Sequence, residues 1–421
     1  MTTTDFHRTG GFAPVHDELT ASGLPVTGAL PPELTGWYLR NGPNPRQDSA
    51  HWFTGDGMVH GVRLETGRAA WYRNRWVRTE SFDQPESVLY NEDGTRNLRN
   101  SVANTHVVNH SGRTLALVES SLPYEITNEL ETVGAYDFDG ELADSMTAHP
   151  KICPATGELH FFGYGNISAP HVSYYRADAE GKLVVKQPID VPGLTMMHDF
   201  ALTAEHVVFF DLPVVFDVAS LGRGMPYHWD ANYGARLGVL RRDDPAAGVR
   251  WLEIEPCYAF HTLNAFDAGG RIVVYVVRYD HLWWPGHDDV PGKLWRWTLD
   301  PATGRVTEEQ VDERPGEFPR IDDRLATTDA RFGHVTSEGV LRRHDLHTGS
   351  ATQHVFAPGH IPGEAVFAPG GWLLTYVYDA TSDRSDLVVL DAENLAAPPV
   401  ATVHLPQRVP AGFHGNWLPD A

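Results

Sequence analysis

The chain has few cysteines, no long hydrophobic run and no cluster of basic residues. Only Cys153 and Cys257 occur among the 421 residues, and they lie far apart in unrelated contexts. Disulfide bonds therefore do not hold this fold together, which is typical of proteins that fold in a reducing cytoplasm. Because no window approaches 18 uninterrupted apolar residues, we expect no membrane-spanning helix.

The charge balance excludes one class of partner. Lys and Arg number 33 against 55 Asp and Glu, which gives a formal net charge of −22. A chain this acidic repels a phosphate backbone, so we expect no nucleic-acid partner. The N-terminal stretch MTTTDFHRTGGFAP also lacks the basic and apolar regions of a signal peptide. We therefore expect a cytoplasmic protein, and the small apolar stretch HLWWPG (281–286) leaves a peripheral membrane contact open.

What the chain does contain is a repeated β-hairpin. Hydrophobicity alternates with a period of two, and Gly, Pro, Asp and Asn separate the short runs. An alternating strand, a turn and a second alternating strand recur in seven segments: 59–77, 130–142, 172–191, 237–254, 293–311, 341–356 and 386–405. A second kind of strand pair lies between them, in five segments: 105–119, 149–164, 198–212, 261–277 and 364–378.

Seven hairpins at this spacing favour the blades of a propeller, because each blade needs four short strands. The second kind of pair would supply the two inner strands of successive blades. We therefore predict an all-β fold, a single seven-bladed β-propeller domain over residues 1–421. Two β-sandwiches are the alternative that the same pattern leaves open.

Four of the 22 histidines share a position in this pattern. His149, His198 and His261 each begin an inner strand pair, and His414 stands in a similar context near the C-terminus. Since the innermost strands of a propeller line its central axis, these side chains would point at one place. Neutral imidazoles are common ligands of divalent transition metals, so we predict a four-histidine metal site. His106 also begins an inner pair, but no acidic motif follows it, and we leave it out.

Three glutamates are predicted to support such a site: Glu131 in LETVG, Glu317 in GEFPRID and Glu364 in GEAVF. Four neutral ligands leave a metal ion its full charge, which carboxylates bonded to the far ring nitrogens would offset. For each glutamate, an exposed turn carboxylate is the alternative. Zinc prefers a closed four-coordinate site, whereas octahedral iron with four imidazoles keeps two positions for oxygen ligands, so we predict Fe(II).

Together these motifs resemble the carotenoid cleavage oxygenases, a family that also contains lignostilbene dioxygenases and the visual-cycle isomerase. The resemblance runs nearly end to end. Nine segments are similar to family motifs in order: GWYLRNGPNP (36–45), HWFTGDGMVHGV (51–62), LETVGAYDF (130–138), AHPK (148–151), MHDF (197–200), FHTLNAFD (260–267), EFPRID (317–322), GEAVF (363–367) and FHGNW (413–417).

The resemblance implies a seven-bladed propeller with a cap of loops and short helices over an axial Fe(II). The four histidines above would be its ligands, and the three glutamates would orient the last three of them in chain order. Members of the family insert dioxygen at one alkene bond and release two carbonyl products. We therefore expect dioxygen and an apolar polyene, a carotenoid or apocarotenoid, as the substrates.

One departure from the family bears on the substrate. The stilbene-cleaving branch has a lysine near the end of the strand LALVES, whereas this chain has Leu117, Val118 and Glu119 there. This favours a polyene, and cleavage of a stilbenoid or phenylpropenoid is the alternative. A metal-dependent isomerase or hydrolase, and an inactive propeller that binds a lipid or a protein, are further hypotheses.

Aromatic residues beside or between the metal motifs are candidates for a substrate tunnel, because their rings would pack against a conjugated chain. Propeller core is the alternative for each of them. The candidates are Trp52, Phe53, Phe266, Trp283 and Trp284.

Overall fold

Short antiparallel strands dominate the computed structural model, which describes residues 6–47, 49, 51–92, 95–217, 220 and 225–420. The chain divides into a terminal unit, residues 1–136 with 334–421, and a central unit, residues 137–333. The single domain over 1–421 therefore stays a prediction. Residues 1–5, on which the signal-peptide argument partly rests, lie outside the described residues.

Helices are short wherever the structure describes the chain. One four-residue α-helix, α1, spans Glu80–Asp83, and the Thr79 hydroxyl caps it by accepting from the N–H of Phe82. None of the helices in the described ranges is long and apolar enough to cross a membrane. The 3-10 helices in these ranges are Phe6–Arg8, Gly10–Phe12, Trp52–Thr54, Pro245–Ala247 and Asp323–Leu325.

The strands are numbered along the chain. The N-terminal part of the terminal unit contains β1 Thr20–Ser22, β2 Val26–Gly28, β3 Gly36–Pro43, β4 Gly57–Glu65, β5 Arg68–Trp76, β6 His106–His110, β7 Arg113–Leu117, β8 Tyr124–Ile126 and β9 Thr132–Ala135.

The central unit contains fifteen of the strands. These are β10 Lys151–Ile152, β11 Leu159–Tyr164, β12 Val172–Ala177, β13 Leu183–Ile189, β14 Phe200–Leu202, β15 His206–Asp211, β16 Val214–Phe216, β17 Tyr227–Trp229, β18 Arg236–Arg241, β19 Arg250–Glu253, β20 Tyr258–Ala268, β21 Arg271–Tyr279, β22 Lys293–Asp300, β23 Arg305–Pro315 and β24 Glu317–Arg320.

The remaining strands lead to the C-terminus. They are β25 Phe332–Ser337, β26 Val340–Asp345, β27 Ala351–Val355, β28 His360–Pro362, β29 Val366–Ala368, β30 Trp372–Asp379, β31 Arg384–Asp391, β32 Ala401–His404 and β33 Gly415–Pro419.

Apart from the ribbon β16-β17, the strands form seven sheets of four to six strands. Five sheets are built from four strands each, and two contain strands from both ends of the chain. The orders are β6-β7-β8-β9, β10-β11-β12-β13, β14-β15-β18-β19, β20-β21-β22-β23, β24-β25-β26-β27, β1-β5-β4-β3-β33 and β2-β32-β31-β30-β28, with β29 also on β30.

Six of the seven predicted outer hairpins and all five inner pairs coincide with observed strand pairs. The prediction for 130–142 is wrong, because β9 ends at Ala135 and the hairpin of that sheet is β8–β9. Phe138, Asp139 and Gly140 have φ of 54°, 59° and 86°. A backbone in this left-handed region turns and cannot extend a strand.

Burial along the strands separates inner from outer positions. All six residues of β11 (LHFFGY) are buried. In β13 (LVVKQPI), burial alternates along the strand. A strand covered on both faces reads as a continuous apolar run, whereas a half-exposed strand alternates. The second strand of this sheet therefore lies in the core of the central unit, and the fourth faces solvent.

Two buried histidines predict an acid-sensitive stability. The Nδ1 atom of His60 is hydrogen-bonded to the hydroxyl of Tyr72 at 2.9 Å. The Nδ1 atom of His160 is hydrogen-bonded to the hydroxyl of Tyr174 at 2.7 Å. Burial, reinforced by nearby arginine charge, lowers the pKa of both histidines well below the usual value. As pH falls below about 6.5, these histidines bind protons in the unfolded chain but not in the folded chain. The free energy of unfolding therefore falls by about 1.4 kcal/mol per histidine for each pH unit.

The measurement is urea unfolding between pH 7.5 and 5.5 for the wild type and His160→Gln. The variant lacks one of the two titrating groups, so its free energy of unfolding is expected to fall less steeply with acid. Parallel pH dependences for the two proteins would contradict the prediction.

Candidate metal centre

Three predicted ligands lie at equivalent places in the central unit. His149 stands two residues before β10, His198 two residues before β14, and His261 is the fourth residue of β20. Each of these strands is the first of its four-stranded sheet. Because the repeat places the beginning of every first strand at the same end of its sheet, the three rings can approach one another.

The three imidazoles form a close group. His149 Nε2 and His198 Nε2 are 3.0 Å apart, and their ring centroids are 4.5 Å apart. The His261 ring lies 5.0 Å from that of His149 and 5.3 Å from that of His198. Two nitrogens that bind one ion at about 2.1 Å and at a right angle lie about 3.0 Å apart. The observed spacing therefore fits neighbouring ligands of one ion.

A glutamate fixes the orientation of His261. Its Nδ1 hydrogen-bonds Glu317 Oε2 at 2.5 Å, and the hydroxyl of Tyr279 donates to Oε1 at 2.7 Å. Burial alone would raise the pKa of the Glu317 carboxyl, but the charge of His261 and these hydrogen bonds outweigh burial and lower it. The carboxylate therefore stays ionised and holds the proton of His261 on Nδ1, which leaves Nε2 as the ligand atom.

The same pair occurs in the terminal unit. His414 is 4% exposed and Glu364 is 2% exposed. His414 Nδ1 hydrogen-bonds Glu364 Oε1 at 2.9 Å, and the N–H of Gly415 donates to Oε2 at 2.9 Å. Two of the three predicted glutamates thus bond the histidines expected for them.

His106 lies near His414 but has another partner. The two ring centroids are 5.3 Å apart. The side-chain amide of Asn416 donates to His106 Nε2 at 3.1 Å and to the carbonyl of Val107 at 2.7 Å. This hydrogen bond uses the lone pair that a metal would need.

The structure contradicts the prediction for the third glutamate, Glu131. Glu131 directly precedes β9, the fourth strand of its sheet, and its side chain is 68% exposed with Arg75 Nε 3.7 Å away. An exposed carboxylate on an outer strand cannot orient a buried imidazole. The prediction for Glu131 is therefore wrong, because the sequence pattern did not show that LETVG leads into an outer strand.

Register draws attention to another glutamate of the same sheet, Glu119. His106 pairs with Leu117 in β6–β7, as His261 pairs with Val277 in β20–β21. Glu119 lies two residues beyond Leu117, at the place that Tyr279 occupies beyond Val277, and Tyr279 reaches the carboxylate that bonds His261. One carboxylate oxygen of Glu119 is buried. Counting from the inner strand, rather than searching for a Glu-containing motif, would have found it.

Two aromatic residues beside the histidines were missed. The Phe260 ring makes an edge contact with His198 at 5.1 Å, and Phe318 stacks on His261 at 5.8 Å. Each directly neighbours a predicted metal-site residue in the sequence, which is the signal that would have found them. Phe318 has φ of 52° and Trp283, 6.0 Å from Phe260, has φ of 49°. Such strained backbone concentrates at functional sites.

Three of the tunnel candidates lie close to predicted ligands. Trp283 packs on Phe260 and so lies close to the histidines. In the terminal unit, Trp52 and Phe53 lie 4.5 and 5.4 Å from Phe413, the residue before His414. A tunnel formed by these residues stays a prediction.

Two further tunnel candidates have other packing partners, and their part in a tunnel also stays a prediction. Phe266 is 9% exposed within β20, five residues beyond His261 and therefore about 16 Å along the strand. It packs in the core of the sheet. Trp284 stacks on Trp229 at 5.6 Å and on His287 at 4.3 Å, in an aromatic group of its own. Sequence proximity to the metal motifs did not show which way these strands and loops run from the histidines.

Comparison with known proteins covers nearly the whole chain. The family model described as Retinal pigment epithelial membrane protein matches residues 12–419. The chain is 41% identical to a carotenoid cleavage oxygenase of Mycobacterium tuberculosis and 30% identical to isoeugenol monooxygenase of Pseudomonas nitroreducens, in each case over 97% of both chains.

Solved structures give the same result. The lignostilbene dioxygenase of Pseudomonas brassicacearum matches with a TM-score of 0.90 and 28% identity over 98% of both chains. Cobalt-substituted Synechocystis apocarotenoid oxygenase matches with a TM-score of 0.87 and 27% identity over 99% of this chain and 98% of that one. Together with the seven sheets, this likeness confirms the predicted all-β, seven-bladed propeller fold. The chain therefore belongs to the carotenoid cleavage oxygenase family and is an enzyme of the dioxygenase type.

Proposed function

We propose that this protein is a non-haem Fe(II)-dependent dioxygenase that cleaves one carbon–carbon double bond of a carotenoid or apocarotenoid into two carbonyl products. The group of His149, His198 and His261 carries the proposal, because the 3.0 Å between the first two Nε2 atoms and the His261 ring 5.0 and 5.3 Å from their rings fit one ion. His414 would be the fourth ligand, since a buried carboxylate holds its Nδ1 as Glu317 holds that of His261.

The donor set fits a divalent iron. Four neutral imidazoles leave the ion its double positive charge, and Glu317 and Glu364 supply two negative charges one hydrogen bond away. When bound, the iron supplies the binding and activation of dioxygen. The protein's residues fix the tautomers of the histidines, exclude water and position the substrate.

The surroundings of the histidines suit a conjugated apolar substrate. Phe260 presents an apolar ring beside His198, and Trp283 packs on Phe260. Aromatic rings of this kind pack well against a polyene. The mycobacterial relative and the Synechocystis neighbour carry carotenoid and apocarotenoid in their names. At 117–119 there is no lysine to bind a substrate phenol.

A stilbenoid or phenylpropenoid substrate is the second candidate. Its support is the TM-score of 0.90 with a lignostilbene dioxygenase and the 30% identity with an isoeugenol monooxygenase. Both of those names denote aryl-alkene substrates, so the two classes require a direct comparison.

That comparison is an assay of the iron-loaded enzyme with an apocarotenal and with 4-hydroxystilbene under labelled dioxygen. We expect mass spectrometry to find two shortened carbonyl products from the apocarotenal, both carrying the label. Faster cleavage of the stilbene would favour the second candidate. Turnover without incorporation of label would indicate an isomerase or hydrolase and refute the oxygenase proposal.

Location remains a prediction of the sequence, both for the cytoplasm and for peripheral contact with a membrane. In the HLWWPG stretch, the N–H of Trp283 donates to Asp289 at 2.7 Å and the Trp284 ring stacks on Trp229. These contacts engage both tryptophans within the protein. Co-sedimentation with vesicles would test the contact.

The correction at the third glutamate gives a paired prediction. Glu119→Gln is expected to lower kcat/KM about tenfold or more, because carboxylates that hydrogen-bond metal-binding histidines tune both metal affinity and activity. Glu131→Gln is expected to leave kcat/KM within twofold, since its side chain is exposed. Initial rates and bound iron, measured for the two variants side by side, check this. A larger loss in Glu131→Gln would restore the original assignment.

A further inference from the structure

Three hydrogen bonds meet at one buried carboxylate beside the candidate metal centre. Asp199 directly follows His198, and its side chain is 1% exposed. Its Oδ1 accepts from Lys151 Nζ and from the backbone N–H of Phe200, both at 2.7 Å. Its Oδ2 accepts from the backbone N–H of Thr262, also at 2.7 Å.

The distant partners of Asp199 come from the other two segments that carry a predicted ligand. Lys151 stands two residues after His149, and Thr262 directly follows His261. Because β10, β14 and β20 begin three different sheets, this one carboxylate links the histidine-bearing ends of all three.

A backbone irregularity makes the third hydrogen bond possible. The pairing of β20 with β21 shifts between Ala259 and His261 and again between Thr262 and Asn264. Such bulges turn the backbone and change the direction of nearby groups, and they often occur next to active sites. The N–H of Thr262 is thereby directed to Asp199.

The geometry points to Asp199 as a positioning residue of the metal centre: it holds His149, His198 and His261 at the separation that one ion requires, without itself binding the ion. The inference rests on the proposed function. Charge gives a second reason, because the Lys151 ammonium balances the carboxylate. Without that carboxylate, the positive charge of Lys151 would be unbalanced. Because Lys151 lies two residues from His149, that charge would repel a divalent cation at the centre.

Asp199→Asn tests the inference without relying on turnover. The amide keeps one acceptor for a backbone N–H but loses the charge that binds Lys151. We expect the affinity of the metal-free protein for Co²⁺ to fall at least about tenfold, measured by competition with a chelator. We also expect the visible absorption of bound Co²⁺ to change in intensity, because that absorption reports the arrangement of its ligands.

A matched control lies on the same strand. Asp267, six residues beyond His261 in β20, accepts from His206 Nδ1 at 2.8 Å and from the N–H of Glu205 at 2.9 Å. Asp267 therefore links β20 to the turn before β15, much as Asp199 links β20 to the segment before β14. The two links lie at opposite ends of β20. Asp267→Asn is expected to keep the Co²⁺ affinity within twofold.

Lys151→Gln removes the same ion pair with Asp199, but at a side chain that is 25% exposed. This variant replaces Asp199→Asn in the test if Asp199→Asn does not fold. Unchanged Co²⁺ affinity in both variants, or an equal loss in Asp267→Asn, would overturn the inference. So would a metal-free Asp199→Asn crystal structure that retains the 3.0 Å spacing between His149 Nε2 and His198 Nε2. A wild-type protein that binds neither Co²⁺ nor Fe²⁺ would instead refute the proposed function, and the metal role of Asp199 with it.

Discussion

Replacing His261 with alanine is expected to lower kcat/KM by about a thousandfold, roughly 4 kcal/mol of transition-state stabilisation, and to release most of the metal. Its ring centroid lies within 5.3 Å of those of His149 and His198, and Glu317 hydrogen-bonds its Nδ1. Alanine removes one predicted ligand and leaves Glu317 as a partly buried charge without its histidine partner. Initial rates with an apocarotenal and the iron content of the purified variant are the measurements.

His206→Ala is the matched control, because His206 is also a partly buried histidine whose Nδ1 bonds a carboxylate, that of Asp267. It stands at the other end of its sheet from the segment that carries His198. We expect near wild-type iron content and activity in this variant. If His261→Ala retained iron and activity while folding normally, the proposed metal centre would be wrong.

Glu317→Gln is expected to have the second largest effect. The carboxamide has nearly the same shape but no charge, so it neither stabilises the Nδ1 proton of His261 as strongly nor offsets the charge of the ion. Loss of such a partner usually costs about 10- to 100-fold in metal affinity or activity. We expect a fall of this size in Fe²⁺ affinity and in kcat/KM, with KM changing little, because Glu317 acts on His261 and not on the substrate.

The control for this charge loss is Glu308→Gln in β23, which belongs to the sheet that contains His261. The Glu308 side chain is 16% exposed against 23% for Glu317, and it pairs with Arg278 at 3.9 Å. Both variants lose one partly buried negative charge, but only one loses a hydrogen bond to a histidine. Equal losses of Fe²⁺ affinity would show that the effect is general electrostatics and would contradict the positioning role of Glu317.

Local pattern predicted the strands well because strand signals are local. Alternating hydrophobicity and turn residues placed all five inner pairs, and the beginnings of those pairs placed His149, His198 and His261 at equivalent positions. The pattern failed at 130–142, where Phe138 and Asp139 adopt left-handed backbone that no apolar periodicity reveals. It also gave no sign that β33 pairs with β3, or β2 with β32, since those partners lie hundreds of residues apart.

The surroundings of the three histidines were predicted less well than their positions in the repeat. Glu131 and Glu119 both stand close to strands of one sheet, and only the register and strand order decide which strand is inner. Phe266 and Phe260 flank the same histidine in the sequence, but one packs in the core and the other against His198. Direction along a strand, which a motif does not encode, separates them.

The sequence by itself determined the kind of fold, the family and the histidines, because periodicity, composition and motif order are written in neighbouring residues. Only the tertiary structure decided among the candidate carboxylates, because it excluded Glu131 and brought Asp199 to the segments that carry His149 and His261. Glu317, Glu364 and Asp199 reach their partners over about 50 residues or more. Such contacts depend on how strands pair and where β20 bulges, and folding the chain is what brings the atoms within hydrogen-bonding distance.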